Sequence, residues 1–202
     1  MVEPISPLLS NLYLKGLDHM MANQGYEMTR YADDLVIQCR TREEAEMALA
    51  KVRSWGTERG LSLHPTKTKI VHVDEEGFEF LGYRFIKRRL FPQSKSMAKF
   101  KDTIRAKTRR NNGRSLSSII ADLNLTIRGW YQYFKHSWPT TFPEVDGWVR
   151  MRMRSILRRR RKGRGRGAHL SDSRLYPTNF FAEQGLFSMT TTRAREYQSA
   201  RQ

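Results

Sequence analysis

No internal disulfide can brace this chain, because a single cysteine, Cys39, occurs among its 202 residues. Cys39 lies in a stretch expected to be a strand and reads as a small buried apolar residue. Long apolar runs are missing as well. Apolar residues alternate with charge at short intervals, so no transmembrane span is expected and membrane partners are set aside. The N-terminus has neither the basic start nor the apolar stretch of a secretory signal, and the expected location is reducing and cytoplasmic. No Cys/His set of zinc-ligand spacing follows Arg166. Negative charge is scarce: 20 Asp and Glu stand against 37 Lys and Arg, a formal net charge of +17. Such an excess attracts polyanions, with an affinity that is largely sequence-independent and weakens with salt. No internal repeat is found. At 39% hydrophobic residues the chain can build a core, although its C-terminal part is thin in apolar content.

What is present divides into two kinds of pattern. Ser6 and Pro7 open a helix, a capping hydroxyl followed by proline where no amide donor is needed. Leu8, Leu9, Leu12, Tyr13, Leu17, Met20 and Met21 then recur at helical spacing, and Gly25 stops the run. Two short apolar runs, residues 26–31 and Leu35-Val36-Ile37, read as antiparallel strands. Thr41 and Glu44 form a capping-box pattern before a helix with Ala45, Leu49, Val52 and Trp55 inward, ending at Gly60. Ile70 to Val73 reads as a strand, and Phe78, Phe80 and Gly82 fall on one face of a further ribbon. The expected class is α+β, with helices on one face of an antiparallel sheet. Character changes near Pro92. Helices are expected over 97–110, 115–136 and 142–160, so the second part reads as all-α. Basic density rises from Arg150. The apolar tail residues Phe180, Phe181, Leu186, Phe187 and Met189 are suited to docking on something.

The chain is organised around Tyr31-Ala32-Asp33-Asp34, where both carboxylates are expected in the turn between two strands. Neighbouring strand residues face opposite ways, so only the turn would let both reach one point. Clustered oxygen donors suit hard divalent cations; a solvated acidic turn is the plainer reading of the dipeptide. Among the aromatics, Trp130, Tyr131 and Phe134 fit a buried helical stripe. Arg128, Tyr133 and Lys135 are better placed to meet unpaired bases and phosphates. Arg158, Arg159, Arg160, Arg161, Lys162, Arg164 and Arg166 would repel one another unless a polyanion neutralised them, although a solvated basic tail has the same composition.

Several segments, in order, resemble a known family. Tyr31-Ala32-Asp33-Asp34 is similar to the catalytic box of reverse transcriptases. Residues 5–14, Ile-Ser-Pro-Leu-Leu-Ser-Asn-Leu-Tyr-Leu, resemble the segment just upstream of it. Residues 61–69 resemble the lysine-bearing motif, and Phe80-Leu81-Gly82-Tyr83 the primer-gripping hairpin. Residues 128–134 resemble the core of the maturase domain of group II intron proteins. Matches that agree in order and spacing are far more specific than any one of them.

The resemblance implies a group II intron reverse transcriptase/maturase. Its parts would be part of a palm over 1–92, an α-helical thumb or maturase domain over 93–162, and a basic tract and tail over 163–202. It implies RNA-directed DNA polymerisation with Mg²⁺ on Asp33 and Asp34. Tyr31, Ala32, Lys67 and Gly82 would contact primer, nucleotide or leaving phosphate. Read from the residues alone, Tyr31 also fits a strand core, Lys67 a solvated lysine and Gly82 a bend. The implied partners are intron RNA, a DNA primer or target, and nucleotides. The family's Gln-Gly pair, fingers and first palm strand, with a further metal-binding aspartate, would stand upstream, and Met1-Val2-Glu3-Pro4 occupies that place. The chain therefore reads as N-terminally truncated and inactive in polymerisation by itself. The competing reading is a non-catalytic, maturase-like RNA-binding protein. A palm without its first strand would expose an edge and favour a homodimer. A generic basic protein of ribosomal type would explain the charge but not the ordered motifs.

Overall fold

The computed structural model describes residues 6–111, 113–163 and 170–200. They are mixed helix and strand, with eight helices among the described residues. The chain divides into two compact units between Phe80 and Leu81.

In the first unit, α1 (Ser6–Asn23) stops where its signal places its end. Gly25 turns the chain just past it, and the Tyr26 N–H donates back to the Met21 carbonyl at 3.1 Å. β1 (Glu27–Tyr31) and β2 (Asp34–Gln38) form a tight antiparallel hairpin. The Thr41 hydroxyl accepts from the Glu44 N–H at 3.2 Å and opens α2 (Arg42–Thr57). The Glu44 carboxylate answers on the Arg40 N–H at 2.7 Å, one residue earlier than a capping box predicts. The core gathers Leu17 and Met21 of α1 with Ala48, Val52 and Trp55 of α2, and Met28, Leu35 and Ile37 of the hairpin pack against it.

The unit departs from the sequence pattern at several points. Ala48 is buried, whereas Ala45 and Leu49 are half-buried, so the inward stripe of α2 is rotated from the expected one. Residues 70–73 form no strand; β1 and β2 pair only with each other, and an unpaired extended segment would leave its backbone groups to water. The first turns of α1 are uncovered: Leu8, Leu9, Leu12 and Tyr13 are 51–70% exposed. The unit closes with β3 (Phe78–Phe80), and Gly82 lies in the turn after it rather than on its face.

The second unit opens with a hairpin, β4 (Tyr83–Ile86) and β5 (Arg89–Pro92), and after Pro92 its described residues form helices and no strand, as expected for that part of the chain. α3 (Ser94–Lys107) follows, three residues earlier than its periodicity suggested, then α4 (Leu116–Phe134) and α5 (Thr141–Arg160). α6 (Leu170–Leu175), α7 (Thr178–Glu183) and α8 (Met189–Ser199) complete it. Ser115 caps α4 by accepting from the Ser118 N–H at 3.1 Å. Ile104, Ile119, Leu123, Ile127, Tyr131, Val145, Val149, Met153 and Ile156 form one core. The tail docks on this core as its composition suggested: Phe181 and Met189 are fully buried in it.

Candidate nucleic-acid interface

The Asp33–Asp34 turn is built by a two-residue loop. Tyr31 pairs with Asp34, leaving Ala32 and Asp33 between the strands. Asp34 is thus the first residue of β2, a correction to the expectation that both aspartates lie in the turn. Ala32 sits in the left-handed region at φ 54°. Both carboxylates are exposed, and Tyr31 is 66% exposed, which removes the strand-core reading of that ring.

Sequence reasoning missed the group that holds this turn. The Arg30 guanidinium makes a bidentate pair with Asp18 of α1, at 2.7 and 2.6 Å. Its remaining nitrogen donates to Asn11 Oδ1 and to the Ala32 carbonyl, each at 2.9 Å. One side chain therefore fastens the loop to the helix. The Arg30 side chain is 10% exposed and that of Asp18 is 38% exposed. Hydrogen bonding to Arg30 first, and its charge after that, hold the Asp18 carboxyl below its ordinary pKa against the opposing effect of burial. Alternation along β1 could have shown that Arg30 faces inward with Met28 and needs a partner; nothing local identifies Asp18.

Carboxylate oxygens are the donors that Mg²⁺ takes. Among the described residues, however, no group of three His, Cys, Asp or Glu is placed to hold a metal ion. Asp18 is committed to Arg30. The described residues therefore do not complete a two-cation centre. Lys67 is exposed in a turn at 65–67, and no hydrogen bond or ion pair joins it to the aspartates among the described residues.

Gly82 belongs to the second unit. Its φ of 76° requires glycine; space does not, since an added Cβ would meet Ser96, Tyr133 and Phe134 at ordinary contact distances of 3.5–3.7 Å. Tyr133, although 56% exposed, is already engaged. Its hydroxyl donates to the Leu81 carbonyl at 2.9 Å, its carbonyl accepts from the Tyr83 hydroxyl at 2.5 Å, and the two rings stack at 6.1 Å. Arg128 is exposed with its guanidinium over the Phe187 ring at 4.7 Å. Lys135 is half-buried rather than exposed, and its carbonyl accepts from Arg193 at 2.6 Å. Tyr131 and Phe134 are buried, as the core-stripe reading expected, and Trp130 is half-buried.

The basic run separates by role at the end of α5. Arg158 donates to the buried Asp172 of α6 at 2.6 Å, and Arg160 donates to the Arg114 carbonyl. Arg159, Arg161 and Lys162 are exposed, with no ion pair among the described residues. The helix ends there in a double closure. The Gly163 N–H returns to the Arg158 carbonyl at 3.0 Å and the Lys162 N–H to Arg159 at 2.9 Å, with Lys162 left-handed at φ 62°. Arg152 bonds the Thr108 hydroxyl and carbonyl, each at 3.0 Å, and so ties α5 to the end of α3, where Arg109 and Arg110 are exposed. Burial, reinforced by Arg105 and Arg110, lowers the pKa of Arg152. Several elements thus gather cations on one unit. Arg164 and Arg166 lie outside the described residues.

The first unit thus carries paired aspartates on a hairpin, and the mostly helical second unit presents exposed cations. Residues 3–85 match the model of the reverse transcriptase (RNA-dependent DNA polymerase) family, and residues 97–173 match that of the group II intron, maturase-specific domain. On these two matches, in this order, the chain belongs to the group II intron reverse transcriptase/maturases. No curated protein matches the chain. No helix among the described residues is long and apolar enough to cross a membrane.

Proposed function

We propose that this chain binds structured intron RNA through the basic end of α5 and the adjoining end of α3, and that it does so without copying the RNA. The observation that carries the reading is the division of labour at the end of α5. Arg158 and Arg160 serve the fold, while Arg159, Arg161 and Lys162 project as exposed like charges, an arrangement that a polyanion relieves. Residues 1–92 are read as part of a reverse-transcriptase palm and 93–162 as the thumb or maturase domain. Asp33 and Asp34 are the residues we assign to Mg²⁺, with Tyr31, Ala32 and Lys67 of the same unit assigned to primer and nucleotide; Gly82, on the second unit, is assigned to primer by the resemblance alone. Reaction at two cations needs a further ligand group, and the described residues supply none.

The test is a set of titrations of the full chain with a structured intron RNA at several salt concentrations. Replacing Arg159, Arg161 and Lys162 together with Ala should lower affinity near physiological salt about thirty-fold and reduce the salt slope by about two. It should leave any preference among RNAs unchanged, because phosphate contacts position a ligand without reading bases. An unchanged slope would make this end of α5 a solvated surface and remove the proposal.

A further inference from the structure

The hairpin of β4 and β5 carries an oddity that the end of α5 does not explain. Ile86 pairs with Arg89, so Lys87 and Arg88 alone form the loop. Both are left-handed, at φ 47° and 59°. Two-residue loops with both positions left-handed favour Asn-Gly or Gly-Gly, because a Cβ is strained there. Here the two strained positions hold long cationic side chains. Arg84, Lys87, Arg88 and Arg89 are all exposed, and neither Lys87 nor Arg88 has an ion-pair partner among the described residues.

The ribbon behind this tip is braced. The Leu90 carbonyl accepts from the Trp138 N–H at 2.7 Å, and the Arg89 guanidinium lies over the Trp138 ring at 4.2 Å. At the other end the Gln93 N–H donates to the Gly82 carbonyl at 2.8 Å, and the Tyr83 hydroxyl donates to the Tyr133 carbonyl. Two point charges are therefore presented at the end of a fixed support. Strain retained at an exposed turn, where common residues would remove it, points from an observed outlier to a function. Fixed cations with no aromatic ring at the tip suit phosphates held at regular spacing, not unpaired bases that stack.

We propose that the Lys87–Arg88 tip is a second RNA contact that grips the phosphate backbone of a double-stranded stem. It rests on the RNA-binding reading above but concerns a separate surface. The full chain carrying Lys87→Asn and Arg88→Gly takes the residues that the loop conformation favours. It should melt at least as high as wild type, yet bind an RNA stem-loop about tenfold more weakly, with a salt slope smaller by about one to two. Lys87→Gln with Arg88→Gln, which keeps two long side chains, should lose affinity similarly. Wild-type affinity and slope in that second variant would overturn the proposal, whatever the stability of the first. A melting temperature below wild type in the Asn-Gly variant would overturn the strain argument behind it. If wild type binds the stem-loop with a steep slope and only the tip variants match it, the tip proposal alone falls; if wild type does not bind at all, both readings fall.

Discussion

Replacing Asp146 with alanine is expected to lower the unfolding free energy of the second unit by about 3–4 kcal/mol. Asp146 lies on α5, is 4% exposed, and caps a different helix. Its carboxylate accepts from the Ser188 hydroxyl at 2.9 Å, the Met189 N–H at 3.2 Å, and the Thr190 N–H and hydroxyl at 3.0 and 2.8 Å. The first amides of a helix have no partner within it, and a carboxylate there also meets the positive end of the helix dipole. Alanine would leave several donors unsatisfied in a closed site. α8 would then lose its seat, along with the Tyr131 hydroxyl bond to Glu196 at 2.7 Å. Asp146→Asn keeps one acceptor oxygen but turns an amide toward donors, so an intermediate loss is expected. Denaturant unfolding of both variants checks this; a change below about 1 kcal/mol for alanine would show that α8 is held by other contacts.

The second large effect concerns Arg30. Arg30→Ala should destabilise the first unit by about 2–3 kcal/mol, less than for a fully buried pair because Asp18 keeps partial access to water. Arg30→Lys should recover little, since one ammonium cannot reproduce a bidentate fork while also reaching Asn11 and Ala32. The pH dependence has a definite sign. Asp18 is depressed in the folded state, so the stabilisation is fully present above the unfolded value of about 4 and is lost as pH falls through the lower folded value. The gap between wild type and Arg30→Ala should therefore narrow below about pH 4. A gap independent of pH would mean that Arg30 acts only through Asn11 and Ala32.

Much of the fold can be read from one dimension because its signals are local. A stop signal placed the end of α1, a cap placed the start of α2, the helical period placed α4 and α5, and apolar composition marked the docking residues of the tail. What could not be read depends on partners distant in the chain. Residues 70–73 have the composition of a strand, but pairing decides whether one forms. Arg158 and Arg159 are neighbours of one type; only the packing of α6 turns the first to Asp172 and leaves the second in water. Tyr133 has the exposure expected of a base-stacking ring, yet its hydrogen bonds and its stacked neighbour commit it to the turn at Gly82. The left-handed pair Lys87–Arg88 contains no glycine or asparagine, the residues by which such turns are usually found.

The most direct test of the account places binding and copying in a single assay. The purified chain is incubated with intron RNA carrying an annealed, labelled primer, together with Mg²⁺ and nucleotides. The account predicts that the labelled primer is retained in a protein–RNA complex that dissolves as salt is raised, with no extended product. Extension that is lost on Asp33→Ala, or the absence of any complex at low salt, would contradict it.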